Sequence, residues 1–332
     1  MSPLFEKRRT LAKASDTTDA KYGCTPERRN LKEHINKGVV NIDKPPGPTS
    51  HEVVAWVKDI LHVNKAGHSG TLDPKVTGAL PIMLGDAVKA VGTLLTAGKE
   101  YICIMRLQRS ASKAKIMETC AEFVGTIYQK PPMKSAVKRQ IRKRRIYYLE
   151  IMEIEGKDVL FKVGCESGTY IRKLCHDIGE ALGTGAHMLE LRRIKSGPFT
   201  EANLTTMHNL KDAYVLWEED GTESYLRKMI LPMERALEHL PRISIRDTAV
   251  DAICHGADLA APGILTVESD IKAGDLIAVF TLKGEVVCLG TAKMTSMQIL
   301  NAKSGIAVDT DRVLMKPGIY PKAWTHKTAE VA

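Results

Sequence analysis

A single carboxylate stands in a segment made mostly of glycine, hydroxyl, proline and apolar residues. Asp73 follows Leu72 and precedes Pro74 within Gly67–Pro81, GHSGTLDPKVTGALP. Because proline lacks an N–H donor and pushes the preceding residue toward extended or turn geometry, this segment predicts a loop. Its glycines allow tight turns and close approach of a ligand to the backbone. A carboxylate on such a loop can act as a nucleophile or a general base, or it can only cap the backbone donors of a turn.

The same segment resembles the catalytic motif of the TruB-type pseudouridine synthases. The surrounding blocks, from about residue 38 to 324, resemble the H/ACA-guided archaeal and eukaryotic branch of that family, the relatives of dyskerin. The resemblance implies that Asp73 is the catalytic residue. It also implies that His68, Gly70 and Thr71 support the substrate pocket.

Two later blocks contain further residues that the resemblance assigns to this pocket. Tyr101 lies in a segment that alternates like a strand, so it can be a core aromatic, but the resemblance implies that it stacks on the target base. Tyr170 and Arg172 are two residues apart and would diverge on a regular helix, so reaching one pocket requires an irregular first turn. The resemblance places Tyr170 against the flipped base and pairs Arg172 with the catalytic aspartate. It also matches Leu191 to an apolar residue that lines the pocket.

The elements that must position these residues are predicted by local patterns. Val39, Val40 and Ile42 indicate a short strand that a proline-rich turn ends. Thr49 and Glu52 form a capping-box pattern in front of an apolar repeat with helical spacing. The other elements predicted before residue 200 are helices at 87–95, 112–124 and 170–182 and strands at 99–107 and 159–163.

Composition indicates an ordinary globular protein with a polyanionic partner. The 332 residues are 44% hydrophobic and 26% charged, with a net charge of +9 and a sequence pI near 9.1, which suggests binding to nucleic acid. No apolar run reaches about 18 residues, so no membrane span is expected. Seven cysteines without a C-x-x-C pair argue against a zinc ribbon and for a reduced, intracellular protein.

Most of the excess charge lies in one run between residues 126 and 145, which holds eight cations and no acid. We predict an exposed basic loop at about 130–146, with a strand beginning near its end. A charge run can be only a solvated face, but eight cations could neutralise several phosphates. The resemblance implies a mobile loop that alternates between an accessory protein and substrate RNA. The cations are Lys130, Lys134, Lys138, Arg139, Arg142, Lys143, Arg144 and Arg145.

From residue 242 the sequence changes to short strands and turns, which predicts a compact β-rich domain of about 80 residues. Its blocks DTAVDAICHGADLAAPGIL and DRVLMKPGIYPKAW resemble a PUA domain, which implies contacts to the ACA trinucleotide of a guide RNA. We place these contacts at His255, Gly256, Ala257 and Arg312. The alternative is a small β-barrel without a ligand.

Together these observations predict an α+β fold. We expect a catalytic domain with a mixed antiparallel sheet and flanking helices at 37–240, and a small β-barrel-like PUA domain at 241–325. Residues 1–36 are predicted to be a flexible or draped N-terminal extension, and 326–332 a tail.

The resemblance implies isomerisation of uridine to pseudouridine in rRNA, and in tRNA as a further substrate, without a cofactor or a metal. The implied partners are an H/ACA guide RNA, substrate RNA, a small zinc-ribbon protein, a small β-barrel protein and a kink-turn-binding protein. A stand-alone tRNA pseudouridine synthase and a non-catalytic RNA-binding scaffold remain as alternatives. The chain ends without a long lysine-rich tail, which favours the archaeal branch and a cytoplasmic location; a eukaryotic member would be nucleolar.

Overall fold

The structure is a computed structural model that describes residues 8–130 and 140–323. Its strands are β1 (Thr10–Ala12), β2 (Gly38–Lys44), β3 (Ala66–His68), β4 (Thr77–Leu84), β5 (Lys99–Leu107), β6 (Gly125–Gln129), β7 (Arg142–Glu155), β8 (Asp158–Cys165), β9 (Ala186–Ser196), β10 (Phe199–Thr200), β11 (Ile230–Pro232), β12 (Arg242–Ile245), β13 (Leu259–Ala260), β14 (Ile264–Glu268), β15 (Leu276–Thr281), β16 (Val286–Ala292) and β17 (Ile306–Val313). Its helices are α1 (Leu31–Asn36), α2 (Ser50–Leu61), α3 (Val91–Thr96), α4 (Lys113–Glu122), α5 (Ile171–Leu182), α6 (Met207–Asp220), α7 (Ser224–Met229), α8 (Asp247–Cys254) and α9 (Ser296–Asn301).

The chain forms two compact units, and neither is one continuous stretch of sequence. Among the described residues, unit 1 contains 40–83 and 91–229, whereas unit 2 contains 8–39, 84–90 and 230–323. Both units combine strands with helices, so the predicted α+β class is confirmed. No helix within residues 8–130 and 140–323 has the length and apolar composition needed to cross a bilayer.

The sheet of unit 1 places its strands in the order β2-β4-β9-β5-β8-β7-β6. The central strand β5 is antiparallel to both β8 and β9, and Tyr101 lies opposite Arg193 on β9. The apolar face of this sheet packs against α4 and α5 to form the core of the unit. Gly78 pairs with Arg193, and a Cβ at position 78 would lie 2.2 Å from the Arg193 carbonyl oxygen. Close approach of β4 and β9 therefore requires a glycine there.

Helix starts and stops follow the sequence signals closely. The predicted capping box is present, because the Thr49 hydroxyl accepts from the Glu52 N–H and the Glu52 carboxylate accepts from the Thr49 N–H. Helix α5 ends at Gly183, as predicted. The helix predicted at 87–95 is instead a 3-10 turn, Gly85–Ala90, followed by the short α3.

The basic run is not one loop. The prediction of a loop at 130–146 is wrong at its C-terminal part, because β7 begins at Arg142 and pairs with β6 from Gln129 opposite Arg142 to Gly125 opposite Ile146. Strand pairing uses backbone groups, and four consecutive cations hide the period of two that normally reveals a strand. Lys134, Lys138 and Arg139 lie outside the described residues, and Lys130 is exposed directly after β6.

The sheet of unit 2 has the strand order β1-β14-β12-β15-β16-β17-β13. Of the two alternatives predicted for residues 1–36, a flexible extension is wrong for the described residues from 8 onward. Strand β1 pairs with β14, and the buried Arg29 donates to both carboxylate oxygens of Glu234 at 3.0 and 2.6 Å. These partners are more than 200 residues away in sequence, so no local periodicity reveals the order.

Candidate active site

The loop that carries Asp73 is fixed immediately before the carboxylate. The buried Ser50 hydroxyl, in the first turn of α2, accepts from the Leu72 N–H at 2.8 Å and lies 3.2 Å from the Leu72 carbonyl oxygen. His68 accepts the Gly70 N–H through Nδ1 at 3.2 Å. Burial lowers the pKa of His68, which favours the neutral imidazole that this hydrogen bond requires. Thr71 is exposed.

The loop is fixed immediately after the carboxylate by a buried lysine. Lys44 is fully buried at the end of β2, and its Nζ donates to the carbonyl oxygens of Pro45, Pro74 and Val76 at 2.9, 2.9 and 3.0 Å. Burial lowers the pKa of Lys44, and the negative charge of Asp73 acts in the opposite direction. These contacts give Lys44 an architectural role.

Asp73 forms an ion pair with Arg172, which lies in the first turn of α5. The two side chains are 52% and 58% exposed, so the pair lies at the surface where an RNA could reach it. Tyr170 precedes the first turn of α5 with extended backbone geometry, φ −94° and ψ 102°. It therefore does not follow the helical rotation that would separate it from Arg172. The required departure from a regular helix is found at Tyr170.

Tyr101 and Leu191 lie in the core beneath the loop. Tyr101 is only 9% exposed, and it packs in the same apolar cluster as Leu72 and the half-buried Leu191. Burial is the main cause that raises the pKa of the Tyr101 phenol. The buried Arg193 opposes that effect through its charge and a hydrogen bond to the phenol.

Arg193 was not predicted from the sequence, and it connects several parts of the site. Its Nε donates to the Ala79 carbonyl at 2.7 Å and its Nη2 to the Gly70 carbonyl at 3.2 Å. One guanidinium thus holds both the loop and the Tyr101 phenol. The sequence signal was weak, because Arg193 lies in an Arg-Arg pair that reads as surface charge.

Lys99 is a second buried cation that the sequence analysis missed. Its Nζ donates to the carbonyl oxygens of Leu94 and Ala97 at 2.8 and 2.7 Å, at the C-terminal end of α3. Burial, and next the charge of Arg193, lower the pKa of Lys99 to about 7. In the part of the chain that the structure describes, no group of three or more His, Cys, Asp or Glu side chains could hold a metal ion.

The described residues of the basic run alternate along β7. Arg142 and Arg144 are half-buried, whereas Lys143 and Arg145 are exposed. Arg144 lies 3.7 Å from the Glu166 carboxylate. The strand therefore presents its charges on two faces, of which only one is fully open to solvent.

The residues predicted to contact a guide RNA lie at one exposed edge of unit 2. His255 ends α8, and Gly256 follows with φ +89° and open space where a Cβ would point. The Ala257 carbonyl accepts from the Thr310 hydroxyl at 2.9 Å, which joins this turn to β17. Arg312 is exposed two residues further along the same strand.

Comparison with known proteins agrees with this arrangement. Family models match as "TruB family pseudouridylate synthase (N terminal domain)" over residues 58–171, "tRNA pseudouridylate synthase B C-terminal domain" over 172–238, "PUA domain" over 241–314 and "DKCLD (NUC011) domain" over 2–54. A "probable tRNA pseudouridine synthase B" from Methanopyrus kandleri is 61% identical over 98% of this chain and 96% of its own. The chain belongs to the TruB family of pseudouridine synthases. The resemblance seen in the sequence is confirmed, and this TruB-family protein is a pseudouridine synthase.

Solved structures extend the likeness of this TruB-family chain to its whole length. A Cbf5-Nop10-Gar1 complex contains a chain that is 55% identical, with a TM-score of 0.93 over 97% of this chain and 98% of that one. An H/ACA RNP bound to a substrate RNA containing 2′-deoxyuridine contains a chain that is 53% identical, with a TM-score of 0.92 over 98% and 100%. Among sequence relatives, a second "probable tRNA pseudouridine synthase B", from Thermococcus kodakarensis, is 55% identical over 98% of this chain and 97% of its own. The prediction of a TruB-type catalytic domain with a PUA domain is confirmed.

Proposed function

We propose that this protein isomerises uridine to pseudouridine in rRNA at sites chosen by an H/ACA guide RNA, with Asp73 as the catalytic residue. The observation that carries the proposal is the ion pair between Asp73 and Arg172. It joins a loop held by buried side chains to the first turn of a helix, and both side chains remain half exposed. A carboxylate with fixed position and open access is what an attack on a nucleoside in RNA requires.

The reaction breaks the bond between C1′ and N1 of uridine, turns the base, and forms a bond between C1′ and C5; C5 loses a proton and N1 takes one up, so substrate and product are isomers. There is no net oxidation or reduction. Asp73 can attack the sugar, attack the base or abstract a proton to give a glycal. In each case Arg172 orients the carboxylate and balances its negative charge.

The target uridine must leave its stack, which costs a few kcal/mol and is offset by contacts in a shaped pocket. We assign Tyr170 to stacking on the extruded base and Leu191 to the apolar wall of the pocket. Tyr101, held by Arg193, assists stacking or proton movement. His68, Gly70 and Thr71 keep the loop in the shape that presents the carboxylate.

The guided assignment is supported by the likeness to the chains in the Cbf5-Nop10-Gar1 complex and in the H/ACA RNP. We propose the corresponding partners: a small zinc-ribbon protein, a small β-barrel protein and a kink-turn-binding protein. The turn at His255, Gly256 and Ala257, with Arg312, would contact the guide RNA. The exposed cations of β7 would contact phosphates.

A stand-alone tRNA pseudouridine synthase is the second candidate. It is favoured by the names of the curated relatives, which are tRNA pseudouridine synthases at 55–61% identity. The two candidates share the chemistry at Asp73 and differ in whether a guide RNA is needed.

Release of tritium from RNA labelled at uridine C5 tests the proposal. The wild type, Asp73→Asn and the exposed control Asp59→Asn are assayed on rRNA fragments and on tRNA, with and without a matched guide and the three partner proteins. Guide-dependent release that Asp73→Asn abolishes and Asp59→Asn keeps supports the proposal. Release from tRNA without a guide supports the stand-alone enzyme, and full activity of Asp73→Asn rejects the catalytic assignment.

A further inference from the structure

We propose that Gln129 is a positioning residue that holds Tyr170 in place for the extruded base. The inference rests on the proposed function, in which Tyr170 stacks on that base. Gln129 is the last residue of β6 and is only 2% exposed. Its side-chain amide hydrogen-bonds to the backbone of Tyr170 through both its oxygen and its nitrogen.

The two hydrogen bonds use opposite ends of the amide. The Gln129 Oε1 accepts from the Tyr170 N–H at 2.9 Å, and its Nε2 donates to the Tyr170 carbonyl at 3.1 Å. A primary amide has one acceptor and one donor group, so it matches a single residue in extended conformation in the way that a neighbouring strand would. Few other side chains can make this pair of contacts.

Tyr170 needs such support because of where it lies. It occupies the position just before the first turn of α5, where the backbone is extended rather than helical. The Tyr170 side chain does not cap the first turn of α5, a role that serine, threonine, asparagine or aspartate would fill. The amide from β6 fixes the backbone of Tyr170 from outside the helix. The backbone from which the Tyr170 ring extends is thus held by a strand as well as by its own helix.

The same strand leads into the basic run. Gln129 pairs with Arg142 at the end of the β6–β7 hairpin where the connection between the two strands begins, and Lys130 follows directly. RNA bound to these cations would act on the end of β6, where the Gln129 amide holds the Tyr170 backbone. The hydrogen bonds between Gln129 and Tyr170 would thus link phosphate binding by the hairpin to the position of Tyr170.

The test compares Gln129→Ala, Gln129→Glu, Tyr170→Ala, the double variant Gln129→Ala/Tyr170→Ala and Thr126→Ala, an exposed control on the same strand. Single-turnover rates and RNA affinities are measured on whichever RNA the wild type modifies. We expect Gln129→Ala to lower the rate about 100-fold, as for other misplaced active-site groups, and to change the RNA dissociation constant less than threefold. Gln129→Glu, which when ionised keeps the acceptor and loses the donor, should fall between.

The double variant separates a positioning role from a merely structural one. If Gln129 acts through Tyr170, removing both residues lowers the rate no further than removing Tyr170 alone. Multiplicative losses, a wild-type rate in Gln129→Ala, or a loss of affinity alone would overturn the inference. If Gln129→Ala does not fold, the cycle is run with Gln129→Glu. Asp73→Asn is assayed in parallel, since its failure to lose activity would reject the proposed function independently of Gln129.

Discussion

Two buried cations, Lys99 and Arg193, lie beneath the loop that presents Asp73, and both donate to main-chain carbonyl oxygens. A buried charge is costly unless hydrogen bonds replace its lost hydration. Carbonyl oxygens provide this without neutralising the charge, and the charge of Arg193 also acts on the Tyr101 phenol. Because burial lowers the pKa of Lys99 to about 7, the stability of the protein should depend on pH.

We predict a specific pH dependence of stability from Lys99. Its folded pKa is about 7, below the ordinary value of 10.5, so between these values the unfolded chain binds more protons than the folded one. The free energy of unfolding should therefore rise with pH from about 7 to 10, by at most about 1.36 kcal/mol per pH unit from this group. Denaturant titrations of the wild type and Lys99→Met at several pH values measure it. Parallel pH profiles of the two proteins would contradict the prediction.

Arg172 should affect activity far more than stability. Its pair with Asp73 is more than half exposed, and exposed ion pairs contribute about 0–1 kcal/mol to folding. Arg172→Met should therefore leave the melting temperature nearly unchanged and lower the single-turnover rate about 100-fold, because the carboxylate loses its orientation. Arg106→Met, which breaks the exposed pair with Asp158 on another strand, is the matched control. Equal rates in the two variants would remove Arg172 from the mechanism.

At the scale of elements, strand β7 shows how a charged run can still alternate. Arg142 and Arg144 are half-buried, while Lys143 and Arg145 face solvent. Counterion release depends on cations that reach phosphates, so the four residues should not contribute equally to RNA affinity. The exposed pair should carry the salt dependence of this strand.

Lys143→Gln and Arg145→Gln should each weaken RNA binding. Each should also make the negative slope of log affinity against log salt shallower by about 0.7 to 0.9. The slope is obtained from filter-binding or anisotropy titrations at several salt concentrations. Arg106→Gln, which changes an exposed arginine outside the basic run, should leave the slope unchanged. If all three variants have the wild-type slope, β7 does not contact phosphates in the complex of this protein with the RNA.

The sequence predicted local elements well and long-range partners poorly. Strand β5 and the capping box of α2 were predicted because period, β-propensity and caps are local. The loop at Asp73 was predicted from its proline and glycines, but the pairing of Asp73 with Arg172 came from family resemblance, since nothing in composition or spacing joins residues about a hundred positions apart. Gln129 and Arg193 were missed because an amide beside a basic run and an arginine in an Arg-Arg pair carry no local signal of burial.

At the scale of the whole molecule, unit 2 is assembled from three separate stretches of chain. The bidentate pair between Arg29 and Glu234 joins the first and the last of them, and both side chains are at most 9% exposed. The Glu234 carboxylate also accepts from the Val286 N–H at 3.2 Å. Residues 8–39 are thus part of the core architecture of this unit.

Arg29→Met should destabilise unit 2 by about 3–5 kcal/mol, because it leaves Glu234 buried without its partner. Adding Glu234→Gln should restore much of the loss, since a neutral amide can still accept from the Val286 N–H. Thermal and denaturant unfolding of the full chain measure both effects. Arg28→Met, at the exposed neighbouring position, should change stability by less than about 0.5 kcal/mol. Equal effects at positions 28 and 29 would contradict the assigned role of the pair.

The pairing of β1 with β14 also constrains the order in which the two units can fold on the ribosome. The Arg9 N–H donates to the Ser269 hydroxyl, 260 residues later in the chain. At about 5–20 residues per second, β1 waits roughly 10 to 50 seconds for its neighbour β14 to be synthesised. Residues 40–229 emerge in full during that interval, so unit 1 can fold before unit 2 closes. Until β14 has been synthesised, β1 is therefore an unpaired strand. The basic residues Arg8, Arg9 and Lys13 around it help to keep it from associating with other strands during that time.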